Sequence, residues 1–185
     1  MAMEPLPRTA LPQRPPNLTI RPVEPADYPA IAAIYNESIA QGGITMDCTP
    51  YAPENIQAIV QKMTERELIL VAVVEQQVIG WGIVKRYSDR LGYQLCCETS
   101  IYLTFSKLRR GYGWRLQTAL MEQVRAYGYH HIVAKIVAEN QSSIHFHQQF
   151  EFTIVGVQKE IGFAQGAWRD VVIMQRILPA PVRGT

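Results

Sequence analysis

Leu108-Arg109-Arg110-Gly111-Tyr112-Gly113-Trp114 joins a strand-forming run, Tyr93 to Phe105, to a run of helical periodicity, Gly111 to Tyr127. In the second run Leu116, Leu120, Val124 and Tyr127 fall on one side of a helix. Two glycines let the connecting backbone curl so that several N–H groups point inward together. The helix that follows adds its unpaired N–H groups and the positive end of its dipole. Arg109 and Arg110 bring formal charge. Together these features can hold a pyrophosphate. On this stretch alone, an arginine-flanked turn whose glycines serve only chain reversal is an equal alternative. A Walker loop is excluded, because no Gly-Lys-Ser/Thr ending is present. A Rossmann fingerprint needs a third glycine where Leu116 stands, and it opens a parallel sheet rather than following three strands.

Working outward, Leu18 to Val23 reads as a short strand. A helix follows, with Pro25 and Asp27 suiting its first turn and Ile31, Ile34, Tyr35 and Ile39 forming an apolar stripe. Gly42-Gly43 ends it, and Pro53 to Thr64 forms a second helix. Ile69 to Val74 and Val78 to Val84 are β-branched runs separated by Glu75-Gln76-Gln77, the spacing of an antiparallel hairpin. Downstream of the loop, Ile132 to Val137 reads as a strand, Gln141 to Gln149 as a short helix, and Phe152 to Val157 and Trp168 to Ile177 as strands. The order is mixed α/β, with no internal repeat.

Of the 185 residues, 48% are hydrophobic and 18% charged, which fits a single globular domain with a sizeable core. A net charge of +2 is too weak to imply nucleic acid as a partner. Residues 1–17 hold five of the twelve prolines and read as a disordered tail. The domain is expected over residues 18–178, with a second loose tail at 179–185. No apolar run approaches membrane-spanning length, and Cys48, Cys96 and Cys97 make no disulfide framework or Cys-x-x-Cys pair. A cytoplasmic protein with no membrane association and no metal is expected. His145 and His147, two residues apart, lack the i, i+4 spacing that would put two ligands on one helix face. Helix packing is the expected role of His147.

Glu98 is the only charged residue between Leu91 and Phe105. A strand that buries a carboxylate usually pairs it or uses it. Desolvation is expected to raise its pKa, making it a better base near neutral pH. The alternatives are a glutamate facing water and one paired with Arg90 or another arginine.

In this setting the chain resembles the GNAT acetyltransferases, whose CoA-binding loop has the form Gln/Arg-x-x-Gly-x-Gly/Ala. Both glycines are kept, with Leu108 at the opening position and Trp114 where a small residue is common. The resemblance is closer to the phosphinothricin and methionine sulfoximine acetyltransferases and runs from about Thr19 to Ile177. It is carried by Ile20-Arg21-Pro22, Ile34-Tyr35-Asn36, Glu98-Thr99-Ser100-Ile101-Tyr102-Leu103, Arg109-Arg110-Gly111-Tyr112-Gly113, Asn140, and Gly162-Phe163 with Gly166-x-Trp168-x-Asp170. It implies an α/β (α+β) GNAT fold, a mixed and mostly antiparallel sheet of about six to seven strands flanked by about four helices.

The resemblance also implies acetyl-CoA as cosubstrate and Glu98 as general base. The pantetheine arm would lie along Ile101, Tyr102 and Leu103, and the pyrophosphate on Arg109, Arg110, Gly111, Tyr112, Gly113 and Trp114. Asn140 matches a residue that contacts the CoA arm in relatives, although a helix N-cap is equally plausible and both roles can hold. Arg90 and Tyr93 keep an Arg-x-x-Tyr spacing that implies a substrate-binding role, with the arginine fork suited to an acid group; the residues alone equally allow a solvated loop arginine and an ordinary strand tyrosine. Met46-Asp47 replaces a phenylalanine–glutamate pair in the substrate loop. Tyr102 and Tyr129 are candidates only by type to protonate the leaving thiolate, a core or surface tyrosine being the favoured reading of each, and a homodimer with its pocket near the subunit interface is expected. The implied acceptor is a small amino acid or analogue such as phosphinothricin, methionine sulfoximine or methionine sulfone. Rival readings are acetylation of a protein N-terminus, polyamine or antibiotic, or a non-catalytic CoA-binding sensor. A ping-pong route through Cys96 or Cys97 lacks a histidine nearby in sequence to activate the thiol.

Overall fold

The computed structural model describes residues 17–179. The two proline-rich and C-terminal tails expected from sequence lie almost entirely outside them. Seven strands form one sheet: β1 (Leu18–Pro22), β2 (Leu68–Val74), β3 (Gln77–Arg86), β4 (Cys96–Leu103), β5 (His131–Val137), β6 (Thr153–Ala164) and β7 (Ala167–Ile177). Their order is β1-β2-β3-β4-β5-β7-β6. Only the β4–β5 pair is parallel. Four helices accompany the sheet: α1 (Tyr28–Gln41), α2 (Pro53–Gln61), α3 (Tyr112–Ala126) and α4 (Gln141–Gln149).

Strand β2 shows why the sheet is covered on both sides. Leu70, Ala72 and Val74 join the core beneath α3 and α4 with Leu116, Leu120, Ile144 and Phe150. Ile69 and Val71 join a second core beneath α1 and α2 with Ile31, Tyr35, Ile56 and Trp81. A strand buried on both faces loses the alternation of polar and apolar residues, and LILVAVV is accordingly apolar throughout. Pairing at the start of the chain is tightened by Arg21, which holds Asp27 through two bonds of 2.7 and 2.9 Å.

Several boundaries differ from expectation, among them the end of α2, at Gln61 rather than Thr64. The β2–β3 turn has two residues, not three, and Glu75 and Gln76 both have positive φ, 50° and 64°. This is the backbone of a two-residue hairpin turn matched to strand twist, built from residues that enter the left-handed region at a cost. Replacing Glu75→Asn together with Gln76→Gly is therefore expected to raise the unfolding free energy by about 1 kcal/mol, read from urea denaturation. An unchanged midpoint would show that the turn carries no strain.

Strand β4 begins at Cys96 rather than Tyr93, because Leu91–Tyr93 forms a 3₁₀ turn with the Tyr93 N–H bonded to Arg90 O at 2.9 Å. Strand β6 extends to Ala164, well beyond Val157. A bulge interrupts its pattern between Gln158 and Gly162, with Glu160 at φ 49°. Asp170 pins that bulge by accepting from Glu160 N at 2.9 Å and Lys159 Nζ at 2.7 Å.

Candidate functional site

Strands β4 and β5 part immediately after Glu98. Their pairing covers only Cys96–His131, Cys97–Ile132 and Glu98–Val133. Thr104 N–H donates to Ile79 O and Tyr87 N–H to Cys96 O, so even-numbered residues of β4 turn their backbone groups toward β3. Odd-numbered residues, Ile101 and Leu103 among them, turn theirs toward the β5 side, where no strand partner remains. The backbone of Tyr102 bonds to β3 instead.

The loop ahead of α3 adjoins the far end of this gap. Gly111, at φ 79°, caps the helix in the left-handed conformation, and Arg109 precedes it at φ 59°. The first helical bond runs from Arg115 N to Gly111 O, which leaves the N–H groups of Tyr112, Gly113 and Trp114 without helical partners. Arg109, Arg110 and Leu108 are exposed. A Cβ added at Gly113 would meet Leu103 Cδ1 at 3.4 Å and Phe146 at 3.8 Å, so the helix start lies directly against the end of β4. The Trp114 side chain turns away from the loop and packs on Phe150, ring centroids 4.4 Å apart. Asn140 caps α4 by accepting from Ser143 N at 3.0 Å. These free amides and exposed arginines suit an anionic pyrophosphate, and the unpaired backbone of β4 suits an extended amide-bearing arm.

On the face opposite α3, side chains of Cys96, Glu98, Ser100 and Tyr102 line a cleft of about 1200 Å³. Loop residues Thr45–Asp47 form one wall. Its floor continues over Val133 and Lys135 to β7 and β6. The β6–β7 hairpin reaches back to the end of α1: Gln165 Nε2 donates to Ile39 O at 2.9 Å, and Met46 packs onto Gly162. The Met46-Asp47 pair thus divides its work, Met46 seating the hairpin and Asp47 accepting from the hydroxyls of Tyr35 and Tyr51.

Glu98 is buried, and each of its oxygens meets a lysine: Lys85 Nζ lies 3.0 Å from Oε1 and Lys135 Nζ 2.8 Å from Oε2. Burial pushes the carboxyl up, but the Lys135 and Lys85 ammonium groups outweigh it and hold the carboxyl below its ordinary value. The raised pKa expected from desolvation is therefore overturned. The strand of apolar and neutral residues concealed two cations that neighbouring strands supply.

The other sequence-selected residues separate. Tyr93 stands at the cleft rim, its ring 5.4 Å from that of Tyr87, whereas Arg90 is exposed and outside the cleft lining. Tyr102 lines the cleft, with its hydroxyl pushed up to about 12 mainly by burial. Tyr129 lies in the α3 core and donates to Arg66 O at 3.1 Å. Cys96 and Cys97 face opposite sides of the sheet, as adjacent strand residues must. Cys96 lies in register with His131, a neighbour that its sequence position hid, yet burial and the Glu98 charge push the Cys96 thiol up, disfavouring thiolate. His147 is buried in helix packing, Nδ1 2.8 Å from Ser143 O. Among the described residues no three His, Cys, Asp or Glu side chains gather as a metal site, and no helix is long and apolar enough to cross a membrane.

Lys85 and Lys135 are the cleft residues that sequence reading missed. Lys135 carried a readable signal, being the one charge inside the apolar run Ile132 to Val137.

Residues 20–173 match the family described as an acetyltransferase (GNAT) domain. Among curated relatives, phosphinothricin N-acetyltransferase of Streptomyces viridochromogenes is 31% identical over 174 residues, 93% of this chain and 94% of the relative. The L-methionine sulfoximine/L-methionine sulfone acetyltransferase of Pseudomonas paraeruginosa is 30% identical over 159 residues, 85% of this chain and 92% of the relative. Among solved structures, a phosphinothricin acetyltransferase of Sinorhizobium meliloti in complex with acetyl-CoA superposes with a TM-score of 0.83 at 30% identity, covering 91% of this chain and 95% of that one.

Proposed function

The chain belongs to the GNAT acetyltransferase family, and from that premise we propose that it transfers acetyl from acetyl-CoA to the amine of a small amino acid or analogue. The phosphinothricin, methionine sulfoximine and methionine sulfone class is the acceptor favoured by the similarity to the Streptomyces and Pseudomonas enzymes. One observation carries the reading: β4 leaves β5 directly after a buried carboxylate, so unpaired backbone and Glu98 border the same gap.

In this reading acetyl-CoA supplies the thioester. The amides of Tyr112, Gly113 and Trp114, with Arg109, Arg110 and Gly111, hold its pyrophosphate, and the backbone of Ile101 and Leu103 holds its arm. Tyr102 bounds the acyl end of the cleft, and Asn140 fixes the start of α4 beside the arm. Glu98 accepts a proton from the acceptor ammonium, and the freed nitrogen lone pair attacks the thioester carbonyl in a ternary complex. The C–N bond forms, the C–S bond breaks, and the sulfur leaves as thiolate, which takes up a proton. Tyr102 lines the cleft with a hydroxyl that is protonated in the neutral range, and it is the candidate to donate that proton.

Exposed Ile154, Val157 and Phe163 on the edge strand β6 support a homodimer. Three cysteines without a disulfide among the described residues support a cytoplasmic setting.

The test is thiol release from acetyl-CoA across a panel of amines. Methionine sulfone, methionine sulfoximine and phosphinothricin are expected to lead it. Preference for a polyamine or a peptide N-terminus would overturn the acceptor assignment while leaving the acetyltransferase class intact.

A further inference from the structure

The Lys85–Glu98–Lys135 row has a consequence for acceptor choice. Both oxygens of Glu98 are occupied, Oε1 by Lys85 and Oε2 by Lys135. Protonated lysine only donates, so each oxygen already accepts from a cation, and its remaining lone pair takes up a proton against two adjacent positive charges. Moving one ammonium away makes the carboxylate the stronger base.

The two are not equivalent. Lys85 is the direct cross-strand partner of Glu98 in the β3–β4 ladder, so its stem starts beside the carboxylate. Lys135 lies two residues past the last β4–β5 pair, on the far side of the gap where the strands part. Its ammonium also lies 5.5 Å from the ring centroid of Tyr87, so the aromatic face can share the charge. Both lysine side chains are 46% exposed, so either ammonium can move within the wet cleft at little desolvation cost, and it is the parted strands and the Tyr87 ring that single out Lys135. Among the described residues neither lysine forms an ion pair with any carboxylate but Glu98. Asp47, which also lines the cleft, is bonded to Tyr35 and Tyr51 instead. An incoming anion therefore competes with a single carboxylate for either ammonium, and Lys135 is the one with a second place to go.

We propose that Lys135 recognises the acid group of the acceptor, and that pairing with this anion draws its ammonium from Glu98 Oε2 and frees that oxygen to accept the acceptor's proton. The proposal rests on the acetyltransferase reading above and deepens it. The proton balance is simple: R–NH₃⁺ and the Glu98 carboxylate become R–NH₂ and the Glu98 carboxylic acid, while Lys135 stays protonated throughout. A polyamine would bring a third cation to the same place and release neither oxygen. An amino acid carries both the proton to be removed and the anion that clears the way for it.

Steady-state kinetics of the full chain test this with methionine sulfone and its carboxamide, which keep the same amine and side chain and differ only in the acid. Wild type is expected to favour the acid in kcat/KM by about 10–10²-fold, the value of one charge-assisted contact of roughly 1.5–3 kcal/mol. Lys135→Met should remove most of that preference, chiefly through a raised KM for the acid, with the KM for acetyl-CoA unchanged. Lys135→Arg, which keeps the charge, should restore it. A folded Lys135→Met that still prefers the acid as wild type does overturns this proposal alone. If wild type acetylates neither compound, the acceptor reading fails and this proposal fails with it.

Discussion

Glu98→Gln is expected to lower turnover on the best acceptor by about 10²–10⁴-fold, the usual loss when a positioned base is removed. Acetyl-CoA affinity should hardly change, because the loop and unpaired backbone assigned to it lie beyond the carboxylate along β4. The amide keeps the shape of the side chain but cannot take a proton from an ammonium. The same substitution leaves Lys85 and Lys135 without their anion, and a stability loss on the order of 1–2 kcal/mol is expected at neutral pH.

The pH dependence separates these two effects. The folded Glu98 carboxyl lies below its unfolded value, so its contribution is complete above about pH 4.3, the unfolded carboxyl pKa. It is then lost as pH falls through the folded value. Melting curves of wild type and variant should therefore differ at neutral pH and converge in acid. Equal turnover by the two proteins at neutral pH would move the base to another residue.

Acetyl-CoA at 100 times its dissociation constant should stabilise wild type by about 2.7 kcal/mol, because a ligand that binds only the folded state shifts unfolding by mass action. Gly111→Val combined with Gly113→Val should abolish the resulting rise in Tm. A β-branched residue at the φ of 79° observed for Gly111 is strained, and this residue caps α3. At Gly113 the Cβ already reaches ordinary contact with Leu103, Ile101 and Phe146, so two further methyl groups must enter the crevice between β4 and α4. If the double variant misfolds, Arg109→Ala with Arg110→Ala supplies the check, since both side chains are exposed and carry no packing. That pair should weaken acetyl-CoA binding without lowering the Tm of the free protein. Undiminished binding by folded forms of both variants would place the pyrophosphate elsewhere.

Local pattern was enough for much of the fold. Helix α4 could be read to the residue, because Ile144 and His147, three apart on the buried face, follow a capping Asn140. Strand β2 was legible from an unbroken apolar run rich in β-branched residues. Strand β6 was not, since the bulge at Gln158–Gly162 breaks the period of two and is held by Asp170 from the next strand. The glycine loop could be read as an anion cradle because free amides at a helix start are a local property of the chain.

The surroundings of Glu98 were of another kind. Its solitude in β4 marked it out, but the sign of its pKa shift depends on the balance of burial against neighbouring charge, and the neighbours come from β3 and β5. The sequence by itself determined the order of elements, the glycine loop that opens a helix and a lone carboxylate on a central strand, since each depends on residues adjacent along the chain. Only the tertiary structure decided that two lysines flank this carboxylate, that Arg90 lies outside the cleft while Tyr93 borders it, and that Cys96 meets His131. Strand register brings residues tens of positions apart within 3 Å, and Coulomb interactions depend on that distance, not on separation in sequence.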